Sequence, residues 1–171
     1  LYFLYVVIIY FSIFGIYQTY LFINKNYKKY FICFFILTFI FVSNWMIVNH
    51  PHQYVYFNFL AGKNFDKKFD MDYWGLSYKE NLEFLIKNEK KESFKIFNLS
   101  QNKMYIHSII LPFDDLKKLK FVDNPLDADY LITNHYYEKE PKYYFPENNF
   151  RVFNDIVIDG VSINTLYKKI D

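Results

Sequence analysis

The chain has 171 residues, 53% of them hydrophobic and 24% aromatic, with a formal net charge of +2. Three of the 20 basic residues, Lys25, Lys28 and Lys29, crowd one short stretch, and the other 17 stand against 18 acidic residues. Such a balance gives no clustered basic face for nucleic acid, and the single cysteine, Cys33, excludes an intrachain disulfide. Lys, Asn, Phe, Tyr and Ile are abundant together, the pattern of codon drift, so the aromatic content alone is weak evidence for a stacking function.

Leu1 to Ile23 and Tyr30 to Asn49 contain no charged residue. About 20 apolar residues at ~1.5 Å rise cross a ~30 Å hydrocarbon core, so both runs have the length of a transmembrane helix, over about 1–23 and 30–48. The second ends in Asn44-Trp45, a pair suited to the headgroup zone. The first carries Ser12, Gly15, Gln18 and Thr19, and its polar groups are expected to face neighbouring protein rather than lipid. A signal peptide fits the first run poorly: it lacks a basic start and a small-residue cleavage site, and its apolar stretch is too long. Because Leu1 already lies inside an apolar run, the chain reads as the C-terminal piece of something larger.

The lysine-rich loop between the runs contains no acid, whereas Lys63, Lys67 and Lys68 are balanced by Asp66, Asp70 and Asp72. Basic residues near span ends favour the cytoplasmic side. The expected topology therefore has the short loop inside and residues 50–171 outside. An integral protein of a bacterial inner membrane is the corresponding localisation.

After the spans, His50-Pro51 ends the second helix. Residues 50–69 read as a membrane-interface segment with a turn at Ala61-Gly62, and residues 70–171 as a small α/β domain. Ser77 and Glu80 match the S-x-x-E capping box, and Tyr78, Leu82, Leu85 and Ile86 then recur at helical spacing. Phe94 to Leu99 reads as a buried strand, Met104 to Leu111 as a helix halted near Pro112, and Asp114 to Leu119 as a further turn. Leu119 to Val122 is a short strand, Asn124-Pro125 a turn, and Tyr130 to Thr133 a central strand. Tyr136 to Asn149, with Pro141 and Pro146, reads as a loop. Phe150 to Ile158 and Val161 to Tyr167 flank Asp159-Gly160, a strong hairpin signal. The resulting fold class is a transmembrane hairpin followed by a small extracytoplasmic α/β domain. Its mixed sheet has three parallel strands and two antiparallel ones at one edge.

Few motifs carry chemistry. His50 and His52 lack the third and fourth ligands a metal site needs, so interface hydrogen bonding is the favoured reading. Asp70-Met71-Asp72 spells the D-x-D with which some nucleotide-sugar transferases hold a cation, yet carboxylates before a helix suit its positive pole anyway. The turn Ser100 to Lys103 has no glycine for a phosphate. No Ser-His-Asp or Cys-His set is evident, and His107 and His135 read as isolated and structural.

His50-Pro51-His52-Gln53-Tyr54-Val55-Tyr56-Phe57-Asn58 and Asp72-Tyr73-Trp74-Gly75-Leu76-Ser77-Tyr78-Lys79-Glu80 follow the last apolar run in that order. The pairing resembles the C-terminal end of polytopic membrane glycosyltransferases related to dolichyl-phosphate-mannose protein mannosyltransferases and aminoarabinose transferases. The likeness covers Phe31 to about Leu85, and His52 stands where an aromatic is common. It implies a polyprenyl-phosphate-linked sugar donor and an acidic side chain as catalytic base in an early outer loop, upstream of Leu1. No catalytic residue therefore falls in this chain, which would support the active site rather than form it. No cofactor is implied here, and any divalent cation of the whole enzyme is left open. Implied partners are the bilayer, the lipid-linked donor and upstream membrane helices. Tyr54, Tyr56, Phe57 and Trp74 would form an aromatic belt at the bilayer surface. His50, His52, Tyr54, Tyr56, Asn58, Asp72, Tyr73, Trp74 and Lys79 are the substrate-contact or interface candidates. The rival reading is a membrane-tethered α/β interaction module without catalytic activity.

Overall fold

The computed structural model describes residues 2–136 and 149–170, and the chain divides into two compact units, 1–48 and 49–171. Most of the expected Pro141–Pro146 loop lies outside the described residues.

The first unit holds two helices, α1 (Tyr2–Phe22) and α2 (Lys28–Val48). Both are long and apolar enough to cross a membrane, and neither buries any of its apolar window within the protein. Phe34, Phe39 and Phe41 are each more than 60% exposed, as are Tyr10 and Phe11. Two of the polar residues of the first run bond within their own helix. Ser12 Oγ donates to the Ile8 carbonyl at 2.8 Å, and Thr19 Oγ1 to that of Gly15 at 2.7 Å, as Thr38 does to Phe34. A hydroxyl that bonds one turn back is satisfied by its own helix. α2 starts two residues earlier than the charge-free run. Asn24 turns the chain, its carbonyl taking the Tyr27 N–H, and the Lys28 ammonium lies 4.4 Å over the Tyr20 ring.

The second unit contains α3 (Ser77–Asn88), β1 (Phe94–Asn98), α4 (Met104–Ser108), α5 (Phe113–Leu116), β2 (Leu119–Phe121), β3 (Tyr130–Thr133), β4 (Phe150–Ile158) and β5 (Val161–Lys169). The strand order is β2-β1-β3-β5-β4. β1 runs parallel to β2 and β3, and β5 pairs antiparallel with β3 and β4. The mixed sheet thus has the strand directions expected, with β3 at its centre and all four of its residues buried. Period-two alternation divides the strands between two cores. Ile96, Tyr130, Ile132 and Leu166 meet Tyr78, Leu82 and Leu85 of α3 and Met104 of α4 on one face. Phe97, Leu99, Leu131 and Phe150 gather with Ala128 on the other. Full burial of each such side chain contributes about 1.5–3 kcal/mol.

Two local features differ from expectation. α4 stops at Ser108 rather than reaching Leu111, and a turn bonded from Leu111 N–H to the Ser108 carbonyl replaces its last residues. The capping box also does not form. Ser77 is already helical, Leu76 occupies the cap position, and no side chain of that residue caps the helix. Asp72 does this work from four residues upstream, its carboxylate accepting the N–H groups of Leu76 at 3.0 Å and Ser77 at 3.3 Å. A carboxyl group has two oxygens, so it takes both amides at once, Leu76 on Oδ1 and Ser77 on Oδ2. Ser77 Oγ instead donates to that same carboxylate.

Candidate functional site

The two sequence segments singled out above are bonded to one another inside the second unit. Tyr54 Oη donates to Asp72 Oδ1 at 2.9 Å, and His52 Nε2 meets Glu80 Oε2 at 2.7 Å. His52 Nδ1 lies 3.1 Å from Tyr54 Oη, closing a chain Glu80–His52–Tyr54–Asp72. Beyond Asp72 the chain continues through Ser77, which accepts from Asn164 Nδ2 at 2.8 Å, and through Asn164 and Asn81 to Asn154. His52, Asp72, Ser77, Asn81 and Asn164 are all buried. A buried polar network of this kind is stabilising only when its members are satisfied together.

Burial raises the Asp72 carboxyl above the ordinary carboxylate range, although hydrogen bonds from Ser77, Tyr54 and the Leu76 amide pull the other way. Burial likewise raises the Tyr54 phenol, reinforced by the charge of Asp72. Tyr54 donates to Asp72 and the Glu80 carboxylate accepts, so the Nε2 of His52 is the donor to Glu80. The segment is therefore a hydrogen-bonded strut that is buried at His52 and Asp72 and half exposed at Glu80.

Gly75 sits in the loop between Asp72 and α3 with φ +68°. A Cβ there would fall 2.9 Å from both His107 Nε2 and the Tyr78 ring. The His107 ring stacks on Tyr78 at 5.7 Å between centroids, and burial lowers its basicity. His107, read from sequence as isolated, is thus packed against Tyr78 and Gly75.

The remaining candidates separate. His50 is exposed and takes a hydrogen bond from the Gln53 amide. Asn58 caps the turn after it through the Leu60 N–H at 3.0 Å, and Lys79 pairs with Glu83 at 3.5 Å one turn on. Tyr56 is half-buried, and Tyr73 and Trp74 are exposed, their rings edge-to-face at 5.0 Å. Of the proposed belt, Tyr54 turns inward to Asp72, and Phe57 stacks between Phe65 and Phe69 at 5.2 and 5.0 Å. The two carboxylates of the D-x-D also diverge: Asp72 is buried under α3, whereas Asp70 is exposed. Among the described residues no three His, Cys, Asp or Glu side chains gather as a metal site.

Asp70 lines a cavity of about 570 Å³ together with Asp66, Phe65, Phe69, His135 and Ser162. It opens beside the carboxyl end of β3, the position where open α/β sheets place ligands. His135, at φ 57°, brings Nε2 within 3.1 Å of both Ser162 Oγ and Thr165 Oγ1. Both hydroxyls donate to Asp155 Oδ1, Thr165 at 2.8 Å. Their oxygens are therefore left to accept from His135 Nε2–H. The Ser162 proton points at the Asp155 carboxylate and not at the imidazole, so the Ser-to-His hydrogen bond of a triad is not formed. The group is a hydrogen-bonded polar cluster that reaches the cavity through His135 and Ser162, not a Ser-His-Asp triad. The sequence reading missed this cluster because Asp155 and Thr165 come opposite each other only through a register shift between Ile156 and Val157. An unbroken two-residue hairpin would place Asp155 opposite Asn164.

A second cavity, about 320 Å³, lies at the carboxyl ends of β1 and β2 around Asn98, Asn102 and Lys103. Its turn holds no glycine, and its polar groups bond internally: Ser100 Oγ lies 2.8 Å from Thr133 Oγ1 and accepts the Asn134 N–H at 3.1 Å. A phosphate cradle needs such groups turned outward. Comparison of the chain with protein-family models, curated proteins and solved structures finds no match.

Proposed function

We propose that this chain is the C-terminal part of an integral membrane glycosyltransferase that takes its sugar from a polyprenyl-phosphate carrier. In this reading α1 and α2 cross the membrane, Lys25, Lys28 and Lys29 face the cytoplasm, and residues 50–171 lie outside. The observation that carries it is the direct bonding of the two segments on which the family resemblance rests, Tyr54 to Asp72 and His52 to Glu80. Two motifs recurring together in one order have a physical reason to do so when one locks the other.

The same bonding gives the segments a supporting role. Asp72 is consumed as a helix cap, and in the His135 cluster the Ser162 hydroxyl donates to Asp155 with no Ser-to-His bond of a triad. The family resemblance implies a catalytic carboxylate in an outer loop upstream, and in this reading the present domain positions the site against upstream helices and the donor's headgroup. The donor's apolar tail stays in the bilayer while its phosphate sits at the surface, where Tyr73 and Trp74 offer aromatic cover.

The test is transfer by the complete gene product. In membranes it should move sugar from a polyprenyl-phosphate donor to an acceptor, and the present chain alone should not. Trp74→Ala should lower turnover and leave a residual rate, as expected when positioning is lost but chemistry is kept. Complete loss on Asp72→Asn in a folded, inserted protein would place a catalytic group in this chain and overturn the supporting role.

A further inference from the structure

The stretch Met104 to Phe113 is apolar on two opposite sides. Its inner side is part of the core, with Met104 and Leu111 buried alongside Ser108. On its outer side Ile106, Ile109, Ile110 and Phe113 are 49%, 65%, 62% and 70% exposed. Ile106 lies in α4, Ile109 and Ile110 in the turn that follows it, and Phe113 at the start of α5, and no charged residue intervenes between Lys103 and Asp114. The loop before α3 lies against the start of this stretch. Asn102 Nδ2 donates to the Tyr73 carbonyl at 3.0 Å, and Gly75 packs against His107. Trp74 and Leu76, 67% and 49% exposed, therefore adjoin the isoleucines. Six large apolar side chains left open along one short stretch and the loop packed on its start mark a surface that a partner covers.

The covalent chain argues for what covers them. The loop bearing Trp74 and Leu76 is held to His52 and Tyr54 through Asp72 and Glu80, and His52 follows the last residue of α2, Val48, by four positions. At 3.3–3.6 Å per residue that connection spans at most ~14 Å. The headgroup layer on one side of a bilayer is itself ~5–7 Å thick. We propose that this face docks on the bilayer, with Trp74 at headgroup level and Ile106, Ile109, Ile110 and Phe113 at the headgroup–acyl boundary. The docking rests on the reading of α1 and α2 as membrane spans. It replaces the belt of Tyr54 and Phe57, which point into the domain, with an aliphatic surface built on α4 and the turn after it.

The chain has two tryptophans, so the two claims can be read separately. The full chain is reconstituted into phosphatidylcholine–phosphatidylglycerol vesicles, with or without lipid brominated near the headgroup end of its acyl chains. The Trp74→Phe variant leaves Trp45 of α2 to report insertion, and Trp45→Phe leaves Trp74 to report docking. Both should lose emission in brominated vesicles, and aqueous iodide should quench Trp74 weakly. Replacing Ile109 and Ile110 with serine, outside the core, should reverse that order for Trp74 and leave Trp45 unchanged. Trp45 quenched by lipid with Trp74 quenched by iodide overturns the docking and leaves the spans standing. Trp74 shielded from both quenchers means that a second copy of the chain covers the face, which also overturns it. Loss of lipid quenching at both tryptophans removes the spans and the docking together.

Discussion

α2 and α3 contain many of the same residue types and use them in opposite ways. In α2, Phe34, Leu37 and Phe39 project outward with 63%, 63% and 73% of their surface open, and the helix buries nothing. In α3, Tyr78, Leu82 and Leu85 are fully buried, while Lys79 and Glu83 face solvent. A helix stabilised by packing needs one apolar stripe, whereas a helix matched to hydrocarbon can be apolar all round. The surroundings, not the propensity of the residues, distinguish the two. Stability of the second unit should therefore respond to substitutions in α3 and be indifferent to those in α2, and membrane retention should show the reverse.

The largest expected effect is in the core. Leu82→Ala removes a fully buried side chain between α3 and the sheet and should cost about 2–5 kcal/mol of unfolding free energy. Phe39→Ala in α2 should leave the unfolding transition of the second unit where it was. Chemical denaturation in detergent micelles, followed by near-ultraviolet circular dichroism, compares the two. A shift of similar size on Phe39→Ala would break the contrast.

Asp72 should come next. Asp72→Asn turns a donor toward the hydroxyls of Tyr54 and Ser77 and should cost about 1–3 kcal/mol. The effect has a pH signature. Because burial raises the folded carboxyl, the stability it contributes is fully present below the ordinary carboxylate range. It is lost as pH rises through the raised folded value. The difference in Tm between wild type and Asp72→Asn should therefore be largest in acid and narrow toward neutrality. A difference that widens with pH would mean that the four donors around Asp72 outweigh its burial.

A smaller loss is expected at the hairpin. Asp159 and Gly160 have φ of 50° and 78°, the two positive values of a type I′ turn. Gly160→Val has open space for its side chain, so only backbone strain opposes it, about 1–2 kcal/mol. An unchanged Tm would mean that the turn relaxes to another type.

The fold was legible wherever one strong local signal sufficed. Uncharged length marked α1 and α2, an unbroken apolar run marked the central β3, and Asp159-Gly160 marked the hairpin. Signals that compete were harder to read. S-x-x-E at Ser77 and Glu80 describes a plausible cap, but it cannot show that a carboxylate four residues upstream takes the amides and that His52 takes the glutamate. The polar cluster at the larger cavity was invisible for a different reason. His135, Asp155, Ser162 and Thr165 meet only because a bulge shifts the register of β4 on β5 by one residue, and nothing in the composition of Ile156-Val157 announces a bulge. The exposed face of α4 was hidden by its own pattern. Met-Tyr-Ile-His-Ser-Ile-Ile-Leu reads as a buried helix until the structure shows that only one side of it is covered.

The contrast between the two helices is tested most directly by alkaline carbonate extraction of membranes that express the chain, beside the Leu82→Ala variant. If α1 and α2 are matched to hydrocarbon and α3 to a protein core, both proteins should stay in the membrane pellet, however far the variant's domain is destabilised. Release of the wild-type chain into the supernatant would contradict the account, because the open apolar side chains of α1 and α2 would then need a partner other than lipid.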